Sequence, residues 1–147
     1  MRLEGPAATE ALGERLAGML RVGDVIALFG DLGAGKTTLS RGVLHGLGLK
    51  GDVASPTFPI VQTYDPPDLR IPLWHVDLYR IEHEAELEEL ALDEARHYAA
   101  LLIEWPERLG ASLWQDSLQL HLAFGDKGDR ALTAKVPPAW ENRWPPR

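Results

Sequence analysis

Apolar residues recur along this chain with two different periods, and the switches between them mark out its elements. In residues 7–20, Leu12, Leu16, Met19 and Leu20 share one face at helical spacing, which predicts a packing helix. Gly23 and Asp24 then turn the chain into Val25-Ile26-Ala27-Leu28-Phe29, a short unbroken apolar run that reads as a strand. Leu39, Val43, Leu44 and Leu47 predict a second helix ending near Gly46 or Gly48. Prolines 56, 59, 66, 67 and 72 punctuate the next stretch, where Phe58 to Tyr64 and Ile71 to Leu78 read as two strands joined by a proline-rich turn. Trp74, Val76 and Leu78 alternate there with His75, Asp77 and Tyr79, so a polar row lines one face.

In the second half, Glu82, Glu84, Glu86, Glu88, Glu89, Asp93 and Glu94 surround Leu87, Leu90 and Leu92, predicting one or two short acidic helices with a solvated face. Residues 98–105 follow as a continuous apolar run closed by Glu104, the pattern of a parallel strand buried on both faces. Leu118 to Phe124 and Ala131 to Val136 flank the turn at residues 125–130 and read as a hairpin. Strands alternating with helices point to one α/β domain over residues 1–138, with a mostly parallel central sheet, flanking helices and a C-terminal antiparallel hairpin. The tail, residues 139–147, is rich in Trp and Pro, has no period and is expected to be mobile.

Composition narrows the functional classes. A chain of 147 residues suffices for one core and little else. Its net charge of −7 gives a surface that repels polyanions, so direct DNA binding is not expected and any tRNA contact would be indirect or local. Cysteine is absent, which removes disulfides and thiolate metal sites. Neither a signal peptide nor a long apolar span is recognisable, so a cytoplasmic protein without membrane contact is expected.

The chemistry is concentrated just after the first apolar run. Gly30-Asp31-Leu32-Gly33-Ala34-Gly35-Lys36-Thr37 matches G-x-x-x-x-G-K-[ST] between a strand and a helix, the setting of a phosphate-binding loop. Glycines let backbone N–H groups close around a β-phosphate, and the following helix N-terminus adds partial positive charge. Lys36 then bridges the β- and γ-phosphates, the Thr37 hydroxyl takes Mg²⁺, and Thr38 reaches the α-phosphate. These residues define a P-loop NTPase domain.

Such a loop needs a carboxylate at the end of a neighbouring strand to complete the metal site. Glu104, after Ala100-Leu101-Leu102-Ile103, has that position, with an ordinary strand-end carboxylate as the alternative. Asp77 can orient the attacking water or hold Mg²⁺ through water; capping the acidic helix or pairing with Arg80 is its bland alternative. His75 and Tyr79 share the polar row with Asp77, and a strand histidine by itself is more often a satisfied hydrogen-bonding residue than a catalyst. Ser55-Pro56-Thr57-Phe58 lies where nucleotide switches keep a γ-phosphate sensor, and Thr57 is the natural sensing residue unless the segment is only a proline-braced turn; Ser55, His75, Tyr79 and Arg80 complete the candidate switch. Arg41, Arg80 and Arg108 are candidates for transition-state charge that spacing does not separate.

Four segments together, residues 30–38, Ser55 to Phe58, His75 to Arg80 and Ile103-Glu104-Trp105-Pro106, resemble the TsaE family, the bacterial ATPases of tRNA threonylcarbamoyladenosine biosynthesis. The resemblance covers roughly residues 8–136. It implies a P-loop α/β fold, hydrolysis of ATP with Mg²⁺, and service as an accessory subunit to a threonylcarbamoyl-transferase heterodimer that modifies adenosine 37 of tRNAs reading ANN codons. Hydrolysis would reset that assembly, and the transfer itself belongs to the partners. The resemblance further implies that Lys36 and Thr37 hold phosphate and metal, that Glu104 is the second Mg²⁺ ligand, and that activity depends on Asp77. Thr57 falls in a loop over the nucleotide, and Gly128 to Arg130 fall where the family approaches adenine. The Trp-rich tail has no counterpart in the pattern.

Three other readings compete. A nucleotide-loaded module that turns over slowly would use ATP as a structural ligand. A small-molecule kinase is disfavoured because no acceptor-binding insertion or arginine-rich lid is recognisable. A GTPase is disfavoured by the lack of an Asn-Lys-x-Asp segment.

Overall fold

Central strands buried on both faces carry continuous apolar runs, and the two such runs in this chain lie side by side in the middle of one sheet. A computed structural model describes every residue except Leu32, Asp52, residues 54–59 and Arg147. Along the described residues the chain forms β1 (Arg2–Leu3), α1 (Gly5–Ala17), β2 (Val25–Phe29), α2 (Lys36–Gly46), β3 (Val61–Tyr64), β4 (Leu73–Asp77), α3 (Glu84–Glu89), α4 (Leu92–Ala95), β5 (Ala100–Glu104), β6 (Leu118–Phe124) and β7 (Arg130–Lys135). The strands make a single sheet in the order β1-β7-β6-β2-β5-β4-β3. Its inner strands β6, β2, β5 and β4 run parallel, while β3, β7 and β1 pair antiparallel at the two sides.

The period of two divides the apolar residues of the central strands between two cores. Ile26, Leu28 and Leu102 pack with Leu12, Leu16, Leu39 and Val43 beneath α1 and α2. Val25, Leu101, Ile103, Val76 and Leu78 pack with Leu92, Ala95 and Leu109 on the opposite face. α1 and α2 approach so closely that glycine is required at their contact. A methyl group on Gly13 would lie 2.8 Å from the Val43 nitrogen and 2.9 Å from the Gly42 Cα, and one on Gly46 would lie 2.6 Å from the Ala17 Cβ. This contact sets the height of α2, and therefore of Lys36 at its first turn, over the sheet.

Three features depart from the sequence reading. A two-residue strand, β1, pairs with β7, and the amino group of Met1 donates to the Leu132 carbonyl at 2.9 Å. The first helix ends at Ala17, so Leu20 is buried from a turn beyond it. The tail, expected to be loose, is packed over residues 140–144. Trp140 is fully buried, and the Arg143 guanidinium lies 3.8 Å from its ring centroid while bonding both Asp24 carboxylate oxygens at 2.6 and 2.9 Å. One aromatic anchor with a bidentate ion pair holds the segment without periodicity. The acidic helices α3 and α4, the buried β5 and the β6–β7 hairpin follow the expected pattern.

Candidate nucleotide-binding site

Strand order places the ends of β2, β5 and β4 next to one another. Leu28 pairs with Glu104, and Glu104 pairs with Asp77, so the loop after β2 opens beside both carboxylates. Gly30 has φ of 150°, and a side chain there would come 2.6 Å from the Leu122 carbonyl oxygen on β6. Gly35 sits at the N-cap of α2 with φ of 109°, a left-handed conformation, and the helix carries no side-chain cap. An uncapped helix start facing a glycine-rich loop is suited to an anion. Within the loop, the Ala34 N–H donates to the Asp31 carbonyl at 3.0 Å.

Lys36 opens the helix and is 5 % exposed, and its ammonium has no hydrogen-bond partner among the described residues. The Nζ rests instead 3.8 Å from the ring centroid of Trp105. Burial pushes its pKa below the usual lysine range, against the opposing pull of Glu104, Glu107, Asp77 and Asp31. A desolvated cation with unused donors beside an uncapped helix start is the arrangement a polyphosphate satisfies.

The carboxylates differ in environment. Glu104 is 3 % exposed, and one of its oxygens lies in hydrogen-bond contact with His75 Nε2 at 2.6 Å. His75 is fully buried, and its Nδ1 has no partner among the described residues. Asp77 is half-buried and accepts a hydrogen bond from the Tyr79 N–H at 3.0 Å. Burial raises its pKa; the Tyr79 hydrogen bond opposes this, the Glu104 charge adds to it, and Lys36 and His75 oppose it more weakly. Tyr79 packs on Trp105 with centroids 4.9 Å apart, and Arg108 donates to the Tyr79 carbonyl at 3.1 Å. Trp105 holds φ of 59°, the bend that turns its indole toward Lys36 after the strand ends.

The structure thus gathers Gly30, Asp31, Gly33, Ala34, Gly35, Lys36, Asp77 and Glu104 at the C-terminal ends of the central parallel strands. Thr37 and Thr38, both partly buried, follow on the first turn of α2. Leu32, Ser55 and Thr57 lie outside the described residues. Arg80 and Tyr79 are exposed beside Asp77. The Arg130 guanidinium donates to the Ala34 and Gly33 carbonyls at 3.0 Å each, clipping the loop from β7. It also borders a cavity of about 490 Å³ lined by Arg2, Gly125, Asp126, Lys127 and Asp129, in the region expected to approach adenine. Gly128 is in the exposed turn beside it. Sequence reasoning missed the contact of Trp105 with Lys36 and the Arg130 clip. An aromatic directly after the strand-end Glu104 was the available signal for the first, whereas the second depends on β7 folding back beside the loop.

The donor set suits Mg²⁺, a hard cation held by one or two protein oxygens together with phosphate oxygens. Glu104 has one carboxylate oxygen engaged by His75 and no second side-chain hydrogen bond among the described residues, and the Thr37 hydroxyl is a second oxygen donor. Among the described residues no group of three or more His, Asp or Glu side chains could hold a metal without such phosphate oxygens.

Residues 3–132 match the family model described as threonylcarbamoyl adenosine biosynthesis protein TsaE. The chain belongs to the TsaE family. Among curated TsaE relatives, the tRNA threonylcarbamoyladenosine biosynthesis protein of Streptomyces coelicolor is 43 % identical over 136 residues, covering 90 % of this chain and 91 % of its own. The Bacillus subtilis protein of the same name is 40 % identical over 133 residues, covering 90 % and 82 %. The crystal structure of Bacillus subtilis YdiB superposes with a TM-score of 0.81 at 33 % identity, covering 97 % of this chain and 88 % of that one. The fold of this TsaE member is that of a P-loop NTPase, a mostly parallel sheet with its glycine-rich loop at the strand ends. No helix among the described residues is long and apolar enough to cross a membrane.

Proposed function

We propose that this chain is a Mg²⁺-dependent ATPase that serves as an accessory subunit in forming N6-threonylcarbamoyladenosine at position 37 of tRNAs reading ANN codons. ATP is hydrolysed to ADP and phosphate, and the energy resets a partner threonylcarbamoyl-transferase heterodimer between rounds. The observation that carries this reading is Lys36, a buried ammonium at the start of an uncapped helix, without a hydrogen-bond partner among the described residues. The relatives' shared description as tRNA threonylcarbamoyladenosine biosynthesis proteins supports the pathway.

In this reading the loop backbone and Lys36 grip the β- and γ-phosphates, and Lys36 leaves the Trp105 ring to do so. Bound Mg²⁺ supplies charge neutralisation on the phosphates. Thr37 and Glu104, through its other oxygen, are the residues that would hold the metal. Asp77, kept in place by the Tyr79 N–H, orients the attacking water. Trp105 packs against Tyr79 at that corner, and Ser55 and Thr57 sense the γ-phosphate. The tRNA is reached through the partners, consistent with a net charge of −7.

The test is ADP release with Mg²⁺, measured alone and with the heterodimer and tRNA. Turnover that the partners stimulate, that Asp77→Ala abolishes with ATP binding intact, and that GTP does not support is the expected result. ATP binding with no turnover under any of these conditions would replace the enzyme with a nucleotide-loaded binding module.

A further inference from the structure

The proposed metal ligand Glu104 is not an isolated strand-end carboxylate. In the register of β4 and β5, His75 pairs with Leu102 and Asp77 with Glu104, so His75 is the diagonal neighbour of Glu104 on the same face of the sheet. The 2.6 Å contact between His75 Nε2 and Glu104 is closed to solvent on both sides, with the two residues 0 % and 3 % exposed. His75 Nδ1 meets no partner among the described residues. A buried ring nitrogen without a partner is tolerated better as a lone pair than as an N–H, so the hydrogen is assigned to Nε2, which donates to the carboxylate. The alternative, a protonated Glu104 donating to Nε2, would leave Nδ1–H buried with no acceptor.

We infer that His75 is a positioning residue for the metal. It occupies one oxygen of Glu104, fixes the side-chain torsions, and leaves the other oxygen as a single pre-aimed ligand. This inference rests on the Mg²⁺ reading above and deepens it. His75 touches neither phosphate nor water in this role. Its effect passes entirely through the hydrogen bond to Glu104, in the way that outer partners orient ligating groups elsewhere, where their loss costs about 10- to 100-fold in metal affinity. Sequence alone gave His75 low standing because a strand histidine commonly has only a structural hydrogen bond. What distinguishes it is that its bond ends on Glu104, the strand-end carboxylate paired directly with β2 beside the phosphate-binding loop.

The experiment measures two affinities for each variant: ADP without metal, in chelator, and Mn²⁺ for the preformed ADP complex, read by its paramagnetic resonance signal. His75→Phe keeps the ring volume and removes the donor, whereas His75→Gln restores an N–H near the position of Nε2. The expected result is that His75→Phe weakens Mn²⁺ binding by about 10- to 100-fold and leaves metal-free ADP affinity unchanged, with His75→Gln recovering most of the loss. Equal loss in both measurements, unchanged Mn²⁺ affinity in His75→Phe, or a His75→Gln variant as weak as His75→Phe would each overturn the positioning role. If the wild-type ADP complex itself takes up no Mn²⁺, the metal reading fails at its root, an outcome visible before any variant is made.

Discussion

Replacing Gly13 with alanine puts a methyl group into the contact between α1 and α2, where every near atom belongs to backbone. Its Cβ would stand 2.8 Å from the Val43 nitrogen and 2.9 Å from the Gly42 Cα, with the Leu39 carbonyl nearer still. Favourable contact begins near roughly 3.5 Å, so the helices must part by about 0.7 Å or more, and no rotamer change relieves the clash. Overpacking of this kind costs about 1–3 kcal/mol, while the better helix propensity of alanine returns about 0.5–1 kcal/mol. Three backbone contacts below 3.0 Å put the overpacking cost in its upper part, about 2–3 kcal/mol, so the net loss is about 1–2.5 kcal/mol, which in a domain of this size lowers Tm by roughly 2–10 °C. Urea titration and thermal melting of wild type and Gly13→Ala measure it. Gly18→Ala is the control, because Gly18 has φ of −64° and a methyl group there meets nothing nearer than the Arg15 carbonyl at 3.5 Å. Since α2 carries Lys36, Gly13→Ala is also expected to bind ATP more weakly. A Gly13→Ala protein as stable as wild type would refute the account of why these helices carry glycine.

Asp77 has a raised pKa in the folded chain, so ionising it opposes folding, and that penalty grows as pH rises from the ordinary carboxylate range through the raised value. Asp77→Asn is therefore expected to gain stability relative to wild type between pH 4 and pH 8 in ligand-free urea titrations; a constant or shrinking difference would contradict the burial argument. ATP that draws Lys36 away from Trp105 should change tryptophan fluorescence, and Trp105→Phe should abolish the change although four of the five tryptophans remain. A full signal in Trp105→Phe would show that Lys36 is not what the indole senses. Trp140→Ala empties a fully buried site and is expected to cost about 3–5 kcal/mol by urea titration, whereas a loss below about 1 kcal/mol would mean the tail does not anchor the fold.

Physical demands that are local left clear marks in the chain. A parallel strand buried on both faces must be apolar throughout, so β5 could be read directly from Ala100 to Glu104. The phosphate-binding loop was equally legible, because backbone closure fixes glycines and the lysine at set spacings. Interactions that depend on strand order left no such mark. The pairing of His75 with Glu104 requires β4 beside β5 in one particular register, and the Arg130 clip requires β7 to return past β6. Trp140 was illegible for another reason, since a single aromatic anchor has no period to detect. The same holds for β1, whose two residues are too few to alternate.

The place of β2 in the sheet has a consequence for the order in which the protein is made. Both of its neighbours, β5 and β6, are translated long after it, and Arg130, which holds the loop carbonyls, comes later still. A chain emerging from the ribosome therefore carries Val25–Phe29 as an unpaired apolar segment through most of its synthesis, the condition in which chaperone capture or aggregation competes with folding. Nucleotide cannot assist at that stage, because the cradle that would receive it is completed only when the last hairpin closes.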